Sequence, residues 1–436
     1  MDGRDELQAL RDQVTREQVG RIQGAFASQR GVAVDRASGE GGAAYMYAAN
    51  QLLVRDEGGS LQQAQRVLAG LVTAGEPEDV IDGVKLIRFG PRQPGQSGQY
   101  AESAPTAVEV AVAGNAALGH PGHEQRQVFG VNRLLTVAPE TGPCPATEPE
   151  EVYFDYEPFP AVRTEDAGGG VRIYVADTGL LTGAPSHSWL AGVEGGADPL
   201  DPAPGEIIKP YAGHGTFVAA VARCMAPNAY VYVSNVFETA GSALEADLVQ
   251  DLDAALGQSP GYDIFNLSIT TPSLSDLDMI GFEAWRAKLA QHPGVVCVVA
   301  AGNDGQGGEY WPAAFPEMVS VGALAADWRS RASFSNYGDW VKVYAPGRDL
   351  INAYAMGTYE CQDPPYAGQL RQFYGMAKWS GTSFSTPLVA GLIAARKSRD
   401  GITAREAADS LLDDARAQAI PGVGPIILPY GNEFKS

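Results

Sequence analysis

Only four cysteines occur in the 436 residues, at 144, 224, 297 and 361, and no two stand in Cys-x-x-Cys spacing. Without that spacing, and without paired histidines beside them, a structural zinc site has no ligand set. Cys297 sits inside an apolar run and reads as a small buried hydrophobe, while Cys144 and Cys361 fall in loops, which leaves one disulfide open. Basic residues are also short, 31 Lys and Arg against 52 Asp and Glu, for a net charge of -21. That balance argues against nucleic acid or an anionic membrane as partner, since both reward clustered positive charge. No apolar run reaches the roughly 18 to 20 residues of a membrane span. The start, Met1-Asp-Gly-Arg-Asp-Glu-Leu, lacks the positive and apolar regions of a secretory signal. If Met1 is the true start, the chain reads as cytoplasmic or exported by a non-Sec route; if a leader has been removed, it reads as secreted. The acidic balance is compatible with structural calcium, with Asp198, Asp201, Asp276 and Asp278 as loop candidates, although no Asp-x-Asp-x-Asp-Gly loop is present. His120-Pro-Gly-His123 reads as a solvated loop.

Histidine is also scarce, five in all, and only His214 stands in a patterned context, Tyr211-Ala-Gly-His-Gly-Thr-Phe-Val-Ala-Ala-Val-Ala222. Flanking glycines leave its ring accessible at the head of a small-residue helix. The stretch that organises the chain is Lys378-Trp-Ser-Gly-Thr-Ser-Phe-Ser-Thr-Pro-Leu-Val-Ala-Gly391. Ser383 there opens a helix, beside unpaired backbone N–H groups and the positive end of the dipole, where a developing oxyanion is stabilised. Pro387 fits the early helix, where a missing N–H costs little. A serine needs a base to take its proton and a third group to orient that base. His214 is the candidate base. Asp177, ending the apolar run of Val171-Arg-Ile-Tyr-Val-Ala-Asp-Thr-Gly179, is the candidate acid, at the strand end where open α/β sheets build their sites. Taken singly, each is equally a cap or turn residue. A second apolar strand in Val295-Val-Cys-Val-Val-Ala-Ala-Gly-Asn-Asp-Gly305 presents Asn303, whose amide N–H₂ suits an oxyanion.

Asp-Thr-Gly at 177 to 179, His-Gly-Thr at 214 to 216, Ala-Gly-Asn at 301 to 303 and Gly-Thr-Ser at 381 to 383 together resemble the four signatures of the subtilisin-like serine proteases. The order Asp, His, Ser differs from that of chymotrypsin and of the α/β-hydrolases, and His-Gly-Thr separates the chain from the sedolisin type. Asn266-Leu-Ser-Ile resembles the family's substrate strand, and Ala332-Ser-Phe-Ser-Asn-Tyr-Gly338 with Tyr344-Ala-Pro-Gly347 its approach to the nucleophile. The resemblance implies Asp177, His214 and Ser383 as catalytic residues, Asn303 as oxyanion donor, and Ser268, Ile269, Thr270, Ala301, Gly302 and Tyr310 as substrate-binding residues. It implies no required cofactor, with structural calcium compatible, and protein or peptide substrates. Ser-Ile-Thr at 268 to 270 replaces the family's Ser-Leu-Gly, and with Glu309, Tyr310 and Trp311 this implies a reshaped pocket with an acidic rim.

The length and 45% hydrophobic content allow two or three domains. Leu7, Leu10, Val14, Val19, Ile22 and Phe26 pattern an amphipathic helix within an extension at 1–30, expected to cover its neighbour. Residues 31–138 read as strands at 45–54, 84–89, 108–112 and 132–137 with a helix at 61–72. Position and topology resemble the subtilase propeptide, a ferredoxin-like α+β domain that restrains the protease until cut and would be its intramolecular partner. A Pro/Glu-rich linker at 139–160 is where self-cleavage would fall. From 161 to 436, strands at 171–176, 229–236, 262–269, 295–301, 318–322 and 341–344 alternate with helices at 214–225, 243–257, 278–291, 383–397 and 403–416. This implies an α/β fold, a largely parallel sheet with helices on both faces. The Pro/Gly-rich tail beyond Ile420 is expected to wrap the surface. The functional reading is a serine endopeptidase made as a zymogen, with a latent or inactive scaffold of the same fold as the alternative.

Overall fold

The computed structural model describes residues 16–38, 44–90, 105–120, 126–137, 146–152, 157–163, 166–203, 205–237, 239–272 and 277–430. Leu7, Leu10, Val14, His123, Cys144, Asp276 and the linker residues 139–145 lie outside them.

Helix α1 (16–25) runs into a wider turn at Phe26–Arg30. Ile22 and Phe26 are fully buried against Val34, Met46, Ala48, Leu134 and Leu244, so the described part of this element packs against β1, β2, β6 and residue 244. Then follow β1 (Val34–Ser38), β2 (Ala44–Arg55), α2 (Ser60–Leu71), β3 (Thr73–Ala74), β4 (Glu78–Ile81), β5 (Val84–Gly90), α3 (Ala107–Ala117) and β6 (Phe129–Thr136). The strand expected at 108–112 is in fact the helix α3. Alternating valines mimic a strand there, but Thr106 accepts from Glu109 N while the Glu109 carboxylate takes Thr106 N at 2.8 Å, a capping box that nucleates a helix. In the sheet β6 neighbours β2, β2 neighbours β5, and β4 pairs with β5, all antiparallel.

A second sheet follows, of β8 (Arg172–Ala176), β9 (Glu194–Gly195), β10 (Tyr230–Ser234), β12 (Ile264–Leu267), β14 (Val296–Ala300), β16 (Val319–Leu324) and β17 (Val343–Pro346), preceded by the short β7 (Glu150–Glu151). Its order is β17-β16-β14-β12-β8-β10-β9, with every pairing parallel. Order reverses beside β8, the switch point at which doubly wound sheets place their crevice. The helices α4 (His214–Met225), α5 (Glu245–Leu256), α6 (Ile280–Leu289), α7 (Thr382–Asp400) and α8 (Ala404–Ala417) cover it. The strands are near-continuous apolar runs because both faces are buried. β13 (Thr271–Pro272) pairs with β15 (Tyr310–Trp311) at the rim. The tail does not merely wrap the surface: Ile427 N donates to Tyr344 O at 2.9 Å, and Ile426 and Ile427 are buried.

Two features escape the sequence pattern. A long hairpin, β18 (Leu350–Glu360) and β19 (Leu370–Trp379), takes β7 as a third strand. Glu148 is buried beneath it, accepting from Tyr359 Oη at 2.7 Å and Gln362 N at 2.6 Å, while Trp379 Nε1 donates to Thr147 O at 2.6 Å. The second is β11 (Ser242–Leu244), which follows β10 in the chain yet joins the N-terminal sheet as a neighbour of β6.

Candidate active site

β8 ends at Ala176 and delivers Asp177 at its C-terminal edge, where the carboxylate is fully enclosed. Asp177 Oδ1 accepts from Thr178 N at 2.8 Å and lies 2.7 Å from Nδ1 of His214, the first residue of α4. Among the described residues, Asp177 Oδ2 and His214 Nε2 have no hydrogen-bond partner. The His214 ring lies 5.4 Å from Phe384, the neighbour of Ser383, and edge-on to Trp379 at 5.8 Å. Glycine makes this approach achievable. A Cβ on Gly215 would stand 2.6 Å from Gly179 O, and Gly179 itself has φ of +92° and would meet Gly196 O at 2.7 Å.

α7 opens at Thr382, so Ser383 lies in its first turn. Its hydroxyl makes a long bond to Ser268 O, 3.4 Å, while Ser268 Oγ donates to Ser383 O at 2.8 Å. Asn303 comes to the same place from the loop after β14, its Oδ1 accepting from Thr382 N at 2.8 Å and Thr382 Oγ1 at 2.9 Å. With the oxygen so committed, N–H₂ is the donor end of this amide. Sequence reasoning gave Thr382 no part, nor Asn336, which is fully buried and fastens the Asn303 loop through Ala301 O at 2.9 Å, Asp304 N at 3.1 Å and Gln306 N at 3.0 Å. Only its place in Ala332–Gly338 marked it.

The residues expected to bind substrate divide. Ser268, Thr270 and Gly302 line a cleft with Asn303, Thr382 and Ser383. The Ile269 backbone belongs to it, but its side chain is buried in the main core. Ala301 is buried with Leu324, Val341 and Tyr344. Tyr310 is buried beside Gly302, and Glu309 is exposed.

The cleft is filled by the chain itself. Thr136 and Val137 line it, and the space left between them and the other lining residues has no room for a water-sized molecule. Thr136 and Thr270 exchange N–H···O bonds at 3.3 Å each way, and Val137 N donates to Gly241 O at 3.1 Å. The end of β6 thus lies between β11 and residues 268–270, hydrogen-bonded to both.

The acids considered for calcium do not assemble a cation site. Asp198 accepts from Gly213 N at 2.7 Å, Leu200 N at 2.8 Å and Thr178 Oγ1 at 3.2 Å; Asp201 takes Thr182 N at 2.8 Å and Asp278 lies 3.8 Å from Arg55. Among the described residues no group of three His, Cys, Asp or Glu is set to hold a metal. Cys224, Cys297 and Cys361 are buried free thiols.

Burial, eased by those hydrogen bonds, pushes Asp198 up to about 6, and burial likewise raises Asp363 to about 6 and Glu245 to about 7. Between about pH 4 and pH 7 the folded protein therefore holds protons that the unfolded chain releases, so stability falls as pH rises through that window. Heat-unfolding midpoints of Ser383→Ala protein, compared at pH 5.5 and pH 8, are expected to be a few degrees higher at the lower pH; an inverted order would contradict this.

Residues 168–424 match the profile described as the Subtilase family (Peptidase_S8). An intracellular serine protease of Paenibacillus polymyxa is 32% identical over 251 residues, covering 54% of this chain and 69% of that one. Subtilisin Savinase of Lederbergia lenta is 32% identical over 244 residues, covering 53% of this chain and 78% of that one. A solved cold-adapted subtilisin-like serine proteinase aligns at 25% identity with a TM-score of 0.47, over 64% of this chain and 94% of that one. The family profile and the two curated relatives define a hydrolase of the serine endopeptidase class. Since the family profile covers more than half of its length, the chain belongs to the subtilase family. No helix among the described residues is long and apolar enough to cross a membrane.

Proposed function

We propose that the protein cleaves peptide bonds with Ser383 as nucleophile, His214 as the base that takes and returns its proton, and Asp177 as the group that fixes the imidazole tautomer and stabilises the imidazolium. The observation that carries this is the buried 2.7 Å contact between Asp177 Oδ1 and His214 Nδ1, which leaves Nε2 as the working nitrogen in a ring packed against the neighbour of Ser383. A loose serine hydroxyl is common before substrate binds and tightens only in the reacting complex. Asn303 N–H₂ and the Ser383 N–H at the head of α7 would receive the oxyanion. Asn303→Ala is expected to lower kcat by roughly 10²- to 10³-fold with little change in KM, read from initial rates on a peptide substrate.

The chain further reads as a zymogen in four parts: an extension at 1–30, a propeptide-like domain at 31–138, a linker at 139–160 and the protease at 161–436. Supporting this, the end of β6 lies in the cleft as a substrate strand would, and the strand order β6-β2-β5-β4 is that of a ferredoxin-like fold. Protein or peptide substrates would replace β6 once it is released. The filled cleft also favours a second reading, a scaffold held permanently shut. Intact mass after exposure to a fluorophosphonate separates them. An adduct on a shortened chain supports the zymogen; a full-length chain without adduct supports the scaffold.

A further inference from the structure

β6 and β11 pair antiparallel with Leu134 opposite Leu244, Leu135 opposite Ala243 and Thr136 opposite Ser242. Beyond the paired stretch, Arg133 of β6 adjoins Glu245, the first residue of α5: Asn132 Oδ1, next along β6, accepts from Ala246 N at 3.0 Å, and the Arg133 charge acts on the Glu245 carboxyl. Both side chains are buried, at 1% and 0% exposure. Glu245 Oε1 accepts from Phe282 N at 3.1 Å, but among the described residues Oε2 has no hydrogen-bond partner. Arg133 donates through Nη2 to Leu277 O, and among the described residues its Nε has no partner. The charged groups acting on the two are Glu245, Asp278 and Glu283 around Arg133, and Arg133 and Glu283 around Glu245. Nearby, Arg55 of β2 pairs with Glu283 and lies 3.8 Å from Asp278. The positive charges thus come from the N-terminal part, and the three acids from α5, α6 and the residues leading into α6.

A buried pair with unmet hydrogen-bonding groups is a poor stabilising device, because desolvation offsets the attraction. What it does well is discriminate, since a neutral side chain in place of Arg133 would force the enclosed Glu245 carboxyl to take up a proton, and an acidic one would repel it. The β11 edge, which offers backbone pairing of any extended peptide, is where such a choice of side chain would be made.

We propose that Glu245 forms an acidic subsite that selects a basic substrate residue at the position Arg133 takes in β6, three residues before the one paired with Thr270. This rests on the reading of β6 as a substrate-like strand in a working cleft. The subsite accepts an arginine or lysine, while its neighbours on β11 accept the apolar Leu134 and Leu135 positions.

The test uses quenched fluorescent peptides copying residues 129–145, with Arg133 kept or replaced by Ala or Glu, and protease whose active sites have been counted with a fluorophosphonate. Relative to the Arg peptide, kcat/KM is expected to fall about tenfold with Ala and about a hundredfold with Glu, the scissile bond being the same by mass spectrometry. In Glu245→Gln protease the Arg to Ala ratio should approach one. The peptide series needs no variant, so a failure of Glu245→Gln to fold leaves it decisive. Enzyme that cuts all three peptides within twofold, while a parallel sample of it takes the fluorophosphonate label, overturns the subsite and leaves the protease reading intact. A chain that neither labels nor cuts any peptide overturns the protease reading and the subsite with it.

Discussion

A Ser383→Ala chain is expected to lose roughly 10⁶-fold in kcat, the scale on which nucleophiles of this kind act, and to accumulate at its full length. The alanine removes only the hydroxyl from the first turn of α7, and Ser383 Oγ makes just the 3.4 Å bond to Ser268 O. Little stability should be lost with it, so loss of turnover would not be loss of fold. The Ser268 Oγ bond to Ser383 O runs to the backbone and survives the change. Measured by peptide hydrolysis, by fluorophosphonate adduct and by intact mass, the variant should be inert in the first two and uncut in the third. Normal turnover by this variant would remove Ser383 from the mechanism. A shortened but inert chain would instead assign the cut to another protease.

The second large effect is expected for Asp177→Ala, a drop of about 10⁴-fold in kcat with the fold kept. Asp177 Oδ1 holds two donors, His214 Nδ1 and Thr178 N. In the proposed mechanism, without it the ring would lose both the acceptor that fixes its tautomer and the negative charge that stabilises the imidazolium as Ser383 gives up its proton. Residual activity above the uncatalysed rate should persist, because Asn303 and the head of α7 remain in place. A change below tenfold would mean that His214 does not work through this carboxylate. Labelling rates with fluorophosphonate should fall in step with kcat, since the same proton transfer activates the serine in both reactions.

Much of this site was legible in the sequence because its parts sit where the backbone is constrained. Asp177 follows a short apolar run that can only be a buried strand, His214 lies between glycines that allow 179 and 215 to touch, and Ser383 begins a small-residue helix. Sequence patterning also recovers the parallel strands, since burial on both faces leaves them nearly free of polar residues. Local signals in conflict explain one error: the alternating valines of 108–112 outweighed the Thr106 to Glu109 capping box in the reading, whereas the box decides the structure. The β18 and β19 hairpin was missed because only one of its faces is covered, and Met356, Leu370 and Tyr374 on the other are exposed. Least legible was the pairing of β6 with β11, and with it the partners Arg133 and Glu245. That contact joins residues more than a hundred positions apart, and no local period encodes it. Thr382 and Asn336 were passed over for a related reason, as each acts only by fastening another residue's loop.

The arrangement of β6 and β7 has a consequence for how inhibition would respond to protein concentration. Val137 is fixed in the cleft and Thr147 on the hairpin, with residues 138–146 joining them in the chain. While that connection is intact, the strand in the cleft is presented at an effective concentration on the millimolar scale, and diluting the protein changes nothing. Once it is cut, the same contacts become an association between two molecules, and the occupied fraction obeys mass action. On the zymogen reading, with the cut before Thr147, β7 and the buried Glu148 would keep the new end of the protease anchored to its hairpin, and the N-terminal part would be the one to depart. A single cut would then turn a permanent block into one that dilution or digestion of the released part can lift.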